Sequence, residues 1–98
     1  MKACFIFLTP DKEGPVVDQE MNTLSITMRV CSATSYKNAI EIAKRVVNDG
    51  VEVIELCGGF GVHGVSMLKQ ALPDNILIGV VRFDNHPGLN FVSGDTLF

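Results

Sequence analysis

Gly59-Phe60-Gly61-Val62-His63-Gly64 is the stretch whose residue types and spacing carry the most specific chemistry. It follows the apolar run from Val51 to Cys57 and opens a helix-like segment. In that strand–turn–helix setting, G-x-G-x-x-G gathers backbone N–H groups at a helix N-terminus, where a phosphate or carboxylate is attracted. Asp84 lies about 20 positions beyond the last glycine, the distance at which a dinucleotide fold places its ribose-binding acid. A dinucleotide needs two mononucleotide halves, however, and a chain of 98 residues supplies at most one. The narrower expectation is an anion loop built from Gly58, Gly59, Phe60 and Gly61. The plainer alternative is a tight turn in which the glycines only allow close packing of helix on sheet.

Other chemistry-bearing side chains fall near the loop. Alternation along the preceding strand puts Glu55 on one face with Val51, Val53 and Cys57. In a central strand such a carboxylate has to be paired, hydrogen-bonded or protonated. Arg82, near the end of the next apolar run, is its expected partner, or Arg29 if the strand order differs. The pair then either closes the sheet as a structural ion pair, or places Glu55 as a general acid or base with Arg82 as a clamp for a substrate carboxylate or phosphate. His63, in the first turn of the second helix, is the companion proton-handling candidate. Asp84 and His86, in Asp84-Asn85-His86-Pro87-Gly88, complete the candidate ligand-binding set; the plainer reading of both histidines is a surface role. Cys57 is either a thiol activated by the loop amides or an inert one. Cys57, His63, Asp84 and His86 have no metal-ligand spacing, so no metal and no cofactor is expected.

Composition narrows the class. A chain of this length is one domain, residues 1–98. An apolar fraction of 47% is slightly high for so small a core, which suits association between chains. The net charge of −3 without a basic run argues against a nucleic-acid partner. No run approaches the 18 or so apolar residues of a membrane span. Cys4, Cys31 and Cys57 are odd in number and widely spaced, and point to free thiols and the cytoplasm rather than a disulfide framework.

The elements that must position these residues follow from periodicity. Residues 3–8 and 51–57 read as buried strands, and 76–83 as the last strand. Residues 24–32 alternate and read as a half-exposed strand. Thr34 or Ser35 caps a helix running to Asn48, with Tyr36, Ala39, Ile40, Ala43, Val46 and Val47 on one stripe and Gly50 ending it. A short helix spans about 62–72. Residues 9–23 are rich in turn formers, with a weak helical tendency from Val16 to Met21. The alternation predicts an α/β fold: a compact open sheet of about four mostly parallel strands, helices packed on it and covered on both faces. Residues 85–98 form a tail whose Leu89, Phe91, Val92, Leu97 and Phe98 are too apolar for a free terminus. The tail is expected to pack across a neighbouring subunit.

Glu55-Leu56-Cys57-Gly58-Gly59-Phe60-Gly61, Gly79-Val80-Val81-Arg82-Phe83-Asp84, His86-Pro87-Gly88-Leu89 and Ser93-Gly94-Asp95-Thr96-Leu97-Phe98 together resemble a small family of uncharacterised microbial proteins. The resemblance implies a single-domain α/β protein with no assigned activity, and supplies no catalytic residues.

The residues themselves support binding of a small anionic metabolite at the carboxyl ends of the strands by a homo-oligomer without nucleic acid or membrane partners. One alternative is a small isomerase or lyase using Glu55 and His63; another is a structural or interaction subunit without a ligand.

Overall fold

The computed structural model describes all 98 residues, Met1 to Phe98. Five strands form one sheet: β1 (Lys2–Leu8), β2 (Asp18–Asn22), β3 (Thr27–Ala33), β4 (Val53–Leu56) and β5 (Leu77–Val80). Their order is β2-β3-β1-β4-β5, with β2 antiparallel to β3 and every other pair parallel. Helix α1 (Tyr36–Asn48) connects β3 to β4 and helix α2 (Val62–Ala71) connects β4 to β5. No helix is long and apolar enough to cross a membrane.

Local chemistry explains α1. Ser35 is extended and its hydroxyl accepts from the Asn38 N–H at 3.0 Å, satisfying one free donor of the first turn. Gly50, at φ 101°, turns the chain just past the helix where a Cβ would be strained. The buried stripe is Tyr36, Ala39, Ile42, Ala43 and Val46, with Ile40 and Val47 at its margin.

The two connections move the chain across the sheet in one direction: β3 to β4 past β1, then β4 to β5. Right-handed crossovers in one direction put both helices on the same face. The core confirms it: Cys4, Ile6, Cys31, Ala33, Ile54 and Leu56 from alternate strand positions pack with both helices. The opposite positions, including Phe5, Phe7, Val30 and Val53, are only half-buried and lie outside that core. The sheet is therefore covered on one face, where continuous apolar strands had predicted two. The three cysteines are free, and the Cys4 and Cys31 sulfurs lie 3.8 Å apart in the core. Burial pushes the Cys4 thiol up to about 12, so it is not a nucleophile.

Three further expectations change. There are five strands, because residues 18–22 form a strand instead of helical turns. Their weak helical pattern gives way to pairing with β3 from Asp18↔Cys31 to Asn22↔Thr27. The last strand stops at Val80, since β4, its only neighbour, ends at Leu56 opposite it. Arg29 is taken by an ion-pair cluster at the β2–β3 edge. Its Nε and Nη2 donate to the two Asp18 oxygens at 2.7 and 2.8 Å, and its Nη1 donates to Asp49 at 2.8 Å.

The Arg29 guanidinium holds the Asp18 carboxyl down to about 2. A depressed carboxylate contributes stability above its unfolded value near 3.8 and loses it as pH falls through about 2. Because the Asp18 side chain is 36% exposed, Asp18→Asn should cost only about 1 kcal/mol at pH 7. Chemical denaturation should show that deficit shrinking as pH is lowered from 4 toward 2.

Candidate functional site

The carboxyl ends of β1, β4 and β5 meet the N-terminus of α2, and the tail folds over them. Tyr36 is the centre of this region. It opens α1, is buried, and stacks on Phe60 with ring centroids 5.7 Å apart. Its hydroxyl donates to Asp95 Oδ1 at 2.6 Å and accepts from the Gly61 N–H at 3.0 Å. The same Asp95 carboxylate accepts from the His63 N–H at 3.0 Å and from the Gly64 N–H at 3.1 Å. The amides that converge at the glycine loop thus already hold an anion, supplied by the chain's own tail.

The spacing of the glycines follows from this packing. A Cβ on Gly61 would run into the Asp95 carboxylate, and one on Gly64 into the Tyr36 ring. Around Asp95, Ser93 Oγ accepts from the Asp95 N–H at 3.2 Å and shapes a 3₁₀ turn over Gly94–Thr96. The Tyr36 N–H reaches the Phe98 carbonyl, and the Phe98 ring lies 6.2 Å from that of Tyr36. The tail packs on its own chain through these contacts. Its anchors are Asp95 and Phe98, whereas Phe91 and Leu97 stay exposed.

Burial opposes ionisation of Asp95, but the hydrogen bonds from Tyr36, His63 and Gly64 outweigh it and lower the carboxyl below its ordinary range. Burial first, and then the Asp95 bond, raise the Tyr36 phenol, which stays protonated as the donor.

Beside this arrangement is a cleft of about 140 Å³ lined by Phe60, Gly61, Val62, Val65, Val80, Val81 and Arg82. Arg82 is its one charged side chain. The guanidinium Nε donates to Asp84 at 2.9 Å, and Nη1 and Nη2 have no partner within the chain.

The sequence-derived site is thus divided. Phe60, Gly61 and Arg82 line the cleft, and Asp84 holds Arg82. Gly58 and Gly59 are buried beneath the loop; Gly58 faces the Phe83 ring, and the Gly59 N–H donates to Cys57 Sγ at 3.3 Å. Cys57 Sγ also accepts from the Leu8 N–H at 3.3 Å, a bracing role for the thiol. Glu55 does not pair with Arg82 or with Arg29. It is exposed on the helix-free face, in register with Phe5 and Gly79, because strand parity turns it away from α2. His63 offers its backbone, not its ring, to Asp95. His86 packs edge-on against Phe83 at 5.2 Å, and its Nδ1 accepts from the Gly88 N–H at 3.0 Å. Cys57, His63, Asp84 and His86 do not cluster as metal ligands.

Sequence reasoning missed Tyr36 and Asp95. A signal existed for the first: a tyrosine on a buried stripe needs a partner for its hydroxyl. No local pattern links it to a carboxylate 59 residues away.

The segments around Gly61 and Asp95, separate in sequence, form one packed unit, and a family-wide comparison of the chain covers both. Residues 1–96 match the profile of DUF6506, a family of unknown function. The chain belongs to that family. No curated protein and no solved structure gives a significant match. In this DUF6506 chain the match takes in every strand, both helices and Asp95.

Removing the internal anion tests its role. Asp95→Ala should destabilise the fold by about 1–2 kcal/mol, the scale of a lost helix cap, and Tyr36→Phe by about 1 kcal/mol. The contribution of Asp95, a depressed carboxylate, is present above its unfolded value near 4 and lost as pH falls through its lowered value. Thermal unfolding of wild type and Asp95→Asn should therefore converge at acidic pH.

Proposed function

We propose that this chain binds a small anionic metabolite in the cleft beneath the first turn of α2, at the carboxyl ends of β4 and β5, as a cytoplasmic homo-oligomer. The observation that carries this reading is Arg82 at an otherwise apolar cleft, with Nη1 and Nη2 free of protein partners. A planar guanidinium takes a carboxylate through two parallel hydrogen bonds, and Asp84 on Nε leaves that edge available. Val62, Val65, Val80 and Val81 face the remainder of the ligand. A cleft of about 140 Å³ limits that remainder to a few carbons. The ligand class is a short branched or cyclic carboxylate. Screening weakens the attraction of so exposed a cation, so burial of the apolar body has to contribute much of the affinity.

The binding reading differs from the loop-centred expectation in where the anion sits. Phosphate at the Gly59 and Gly61 amides would have to displace Cys57 Sγ and the Tyr36 hydroxyl. The adjoining His63 and Gly64 amides are held by Asp95, which is covalently attached and therefore present at high effective concentration. The enzyme alternative, an isomerase or lyase using Glu55 and His63, has little geometric support, because Glu55 lies on the opposite face of the sheet from α2. The structural-subunit alternative is favoured by one specific observation, the occupation of the Gly61, His63 and Gly64 amides by Tyr36 and Asp95 of the same chain.

Amide NMR titration separates these readings. Isobutyrate or cyclopropanecarboxylate should shift the signals of Val62, Val65 and Val80 to Arg82, and Arg82→Gln should weaken the effect at least tenfold. Phosphate and nicotinamide dinucleotide should leave Gly59 and Gly61 unmoved while Asp95 is present. If no carboxylate in such a series perturbs the cleft, the structural-subunit reading stands in place of binding.

A further inference from the structure

We infer that the helix-free face of the sheet is the surface on which two copies of this chain associate, sheet against sheet. The inference rests on the homo-oligomer part of the proposed function and names the surface.

Register defines the face. Gln19 and Met21 on β2 stand beside Val30 and Met28 on β3, which stand beside Phe5 and Ala3 on β1. Those in turn adjoin Glu55 and Val53 on β4, and then Gly79 and Leu77 on β5. Met21 is 55% exposed and Leu77 66% exposed, while Phe5, Phe7, Met28, Val30 and Val53 are each partly open to solvent. Neither helix reaches this side, and the tail is fastened at the α2 N-terminus.

Area and charge point to the occupant. Five strands spaced about 4.8 Å apart, four to seven residues long at about 3.3 Å each, outline a surface of about 400 Å² in plan. Two facing copies cover about 800 Å² in plan, and the relief of the side chains adds to that, toward the lower end of the roughly 1,200–2,000 Å² buried by stable complexes. The face holds one ionisable side chain, Glu55, and no cation, so it offers nothing to a charged partner. A flat, twisted, apolar sheet is matched by another of the same shape, and sheets pack face to face about 10 Å apart with strands nearly aligned. The sheet is centred on β1, with two strands on either side. A two-fold axis lying along β1 brings Phe5 and Phe7 against their counterparts. The same axis sets each Glu55 over the partner's β3, away from the other Glu55, so like charges do not meet; each carboxylate then has to be protonated or hydrogen-bonded within the interface.

The test uses the full chain. Light scattering after gel filtration at about 50 μM should give twice the 10.6 kDa chain mass. Val30→Lys and Val53→Lys, placed on the face but away from the cleft and the Asp95 contacts, should raise the dimer dissociation constant at least a hundredfold and give a monomer with unchanged circular dichroism. Leu97→Lys, on the exposed tail, should remain dimeric. Methyl NMR provides a reading that needs no variant: a soluble paramagnetic agent should spare Met21 and Met28 relative to its effect on the exposed Met1. A monomeric wild type with accessible Met21 and Met28 methyls overturns the homo-oligomer reading and the interface together. A dimer whose mass survives both lysine substitutions, or falls with Leu97→Lys alone, overturns this surface and leaves self-association standing.

Discussion

The carboxylate of Asp95 joins three parts of the chain that are remote in sequence. It accepts the Tyr36 hydroxyl at the start of α1 and two amides of the first turn of α2, and it belongs to the last few residues. A helix N-terminus leaves its first N–H groups without intrahelical partners and carries partial positive charge. In α2, Gly61 provides no side-chain cap. Asp95 supplies from the tail what a serine or aspartate at the cap position would supply locally. The consequence is coupling: without the tail these two amides of α2 lose their protein partner, and the tail in turn is held by Asp95 together with Phe98, while Phe91 and Leu97 stay exposed.

Most of the architecture was legible in the sequence because it is encoded by local periodicity. The α1 stripe, the Ser35 cap (of the Thr34 or Ser35 expected) and the Gly50 stop are fixed by side-chain chemistry within a few residues. Each is present in the structure, with the stripe turned so that Ile42 is buried and Ile40 and Val47 lie at its margin. The continuous apolar runs located β1, β4 and β5. What failed depended on non-local pairing. Residues 18–22 have too few apolar positions to declare a strand, and become one only because β3 offers them an edge. The one-sided sheet was likewise hidden. Apolar continuity shows that a strand avoids water on both faces without showing whether its own chain or a partner covers the second one.

The candidate site shows the same limit in chemical form. A G-x-G-x-x-G after a strand states that amides converge and that bulk is excluded. Both statements hold at Gly61 and Gly64. The pattern does not state whose anion the amides receive, nor whose atoms exclude a Cβ. Here the answers are Asp95 and the Tyr36 ring. Glu55 shows why strand ends matter: it shares its parity with Cys57, two residues on, but β4 stops at Leu56, so Cys57 leaves the sheet to brace the loop while Glu55 stays on the open face beside Gly79.

The first turn of α2 performs two tasks at once. Gly61 and Val62 form one wall of the cleft, and the next two residues, His63 and Gly64, donate to Asp95. The opposite wall, Val80 to Arg82, leaves the sheet just past β5, where the Val81 N–H donates to the Leu56 carbonyl at 3.1 Å. The cleft therefore lies between a rigid strand end and a helix turn whose position is set by a contact with the tail. The contacts of Tyr36 and Asp95 with Gly61, His63 and Gly64 lie directly behind that helix wall. The tail residue most displaced from an ordinary conformation is Phe91, a bulky side chain at φ 61°, next to Asn90 at φ 55°. Two consecutive left-handed residues persist only where their surroundings hold them. Two backbone bonds between His86 and residues 91–92 on one side, and the Asp95 anchor on the other, supply that restraint. Tail conformation, helix N-terminus and cleft wall thus meet at the Asp95 carboxylate, with Phe98 as the tail's second anchor.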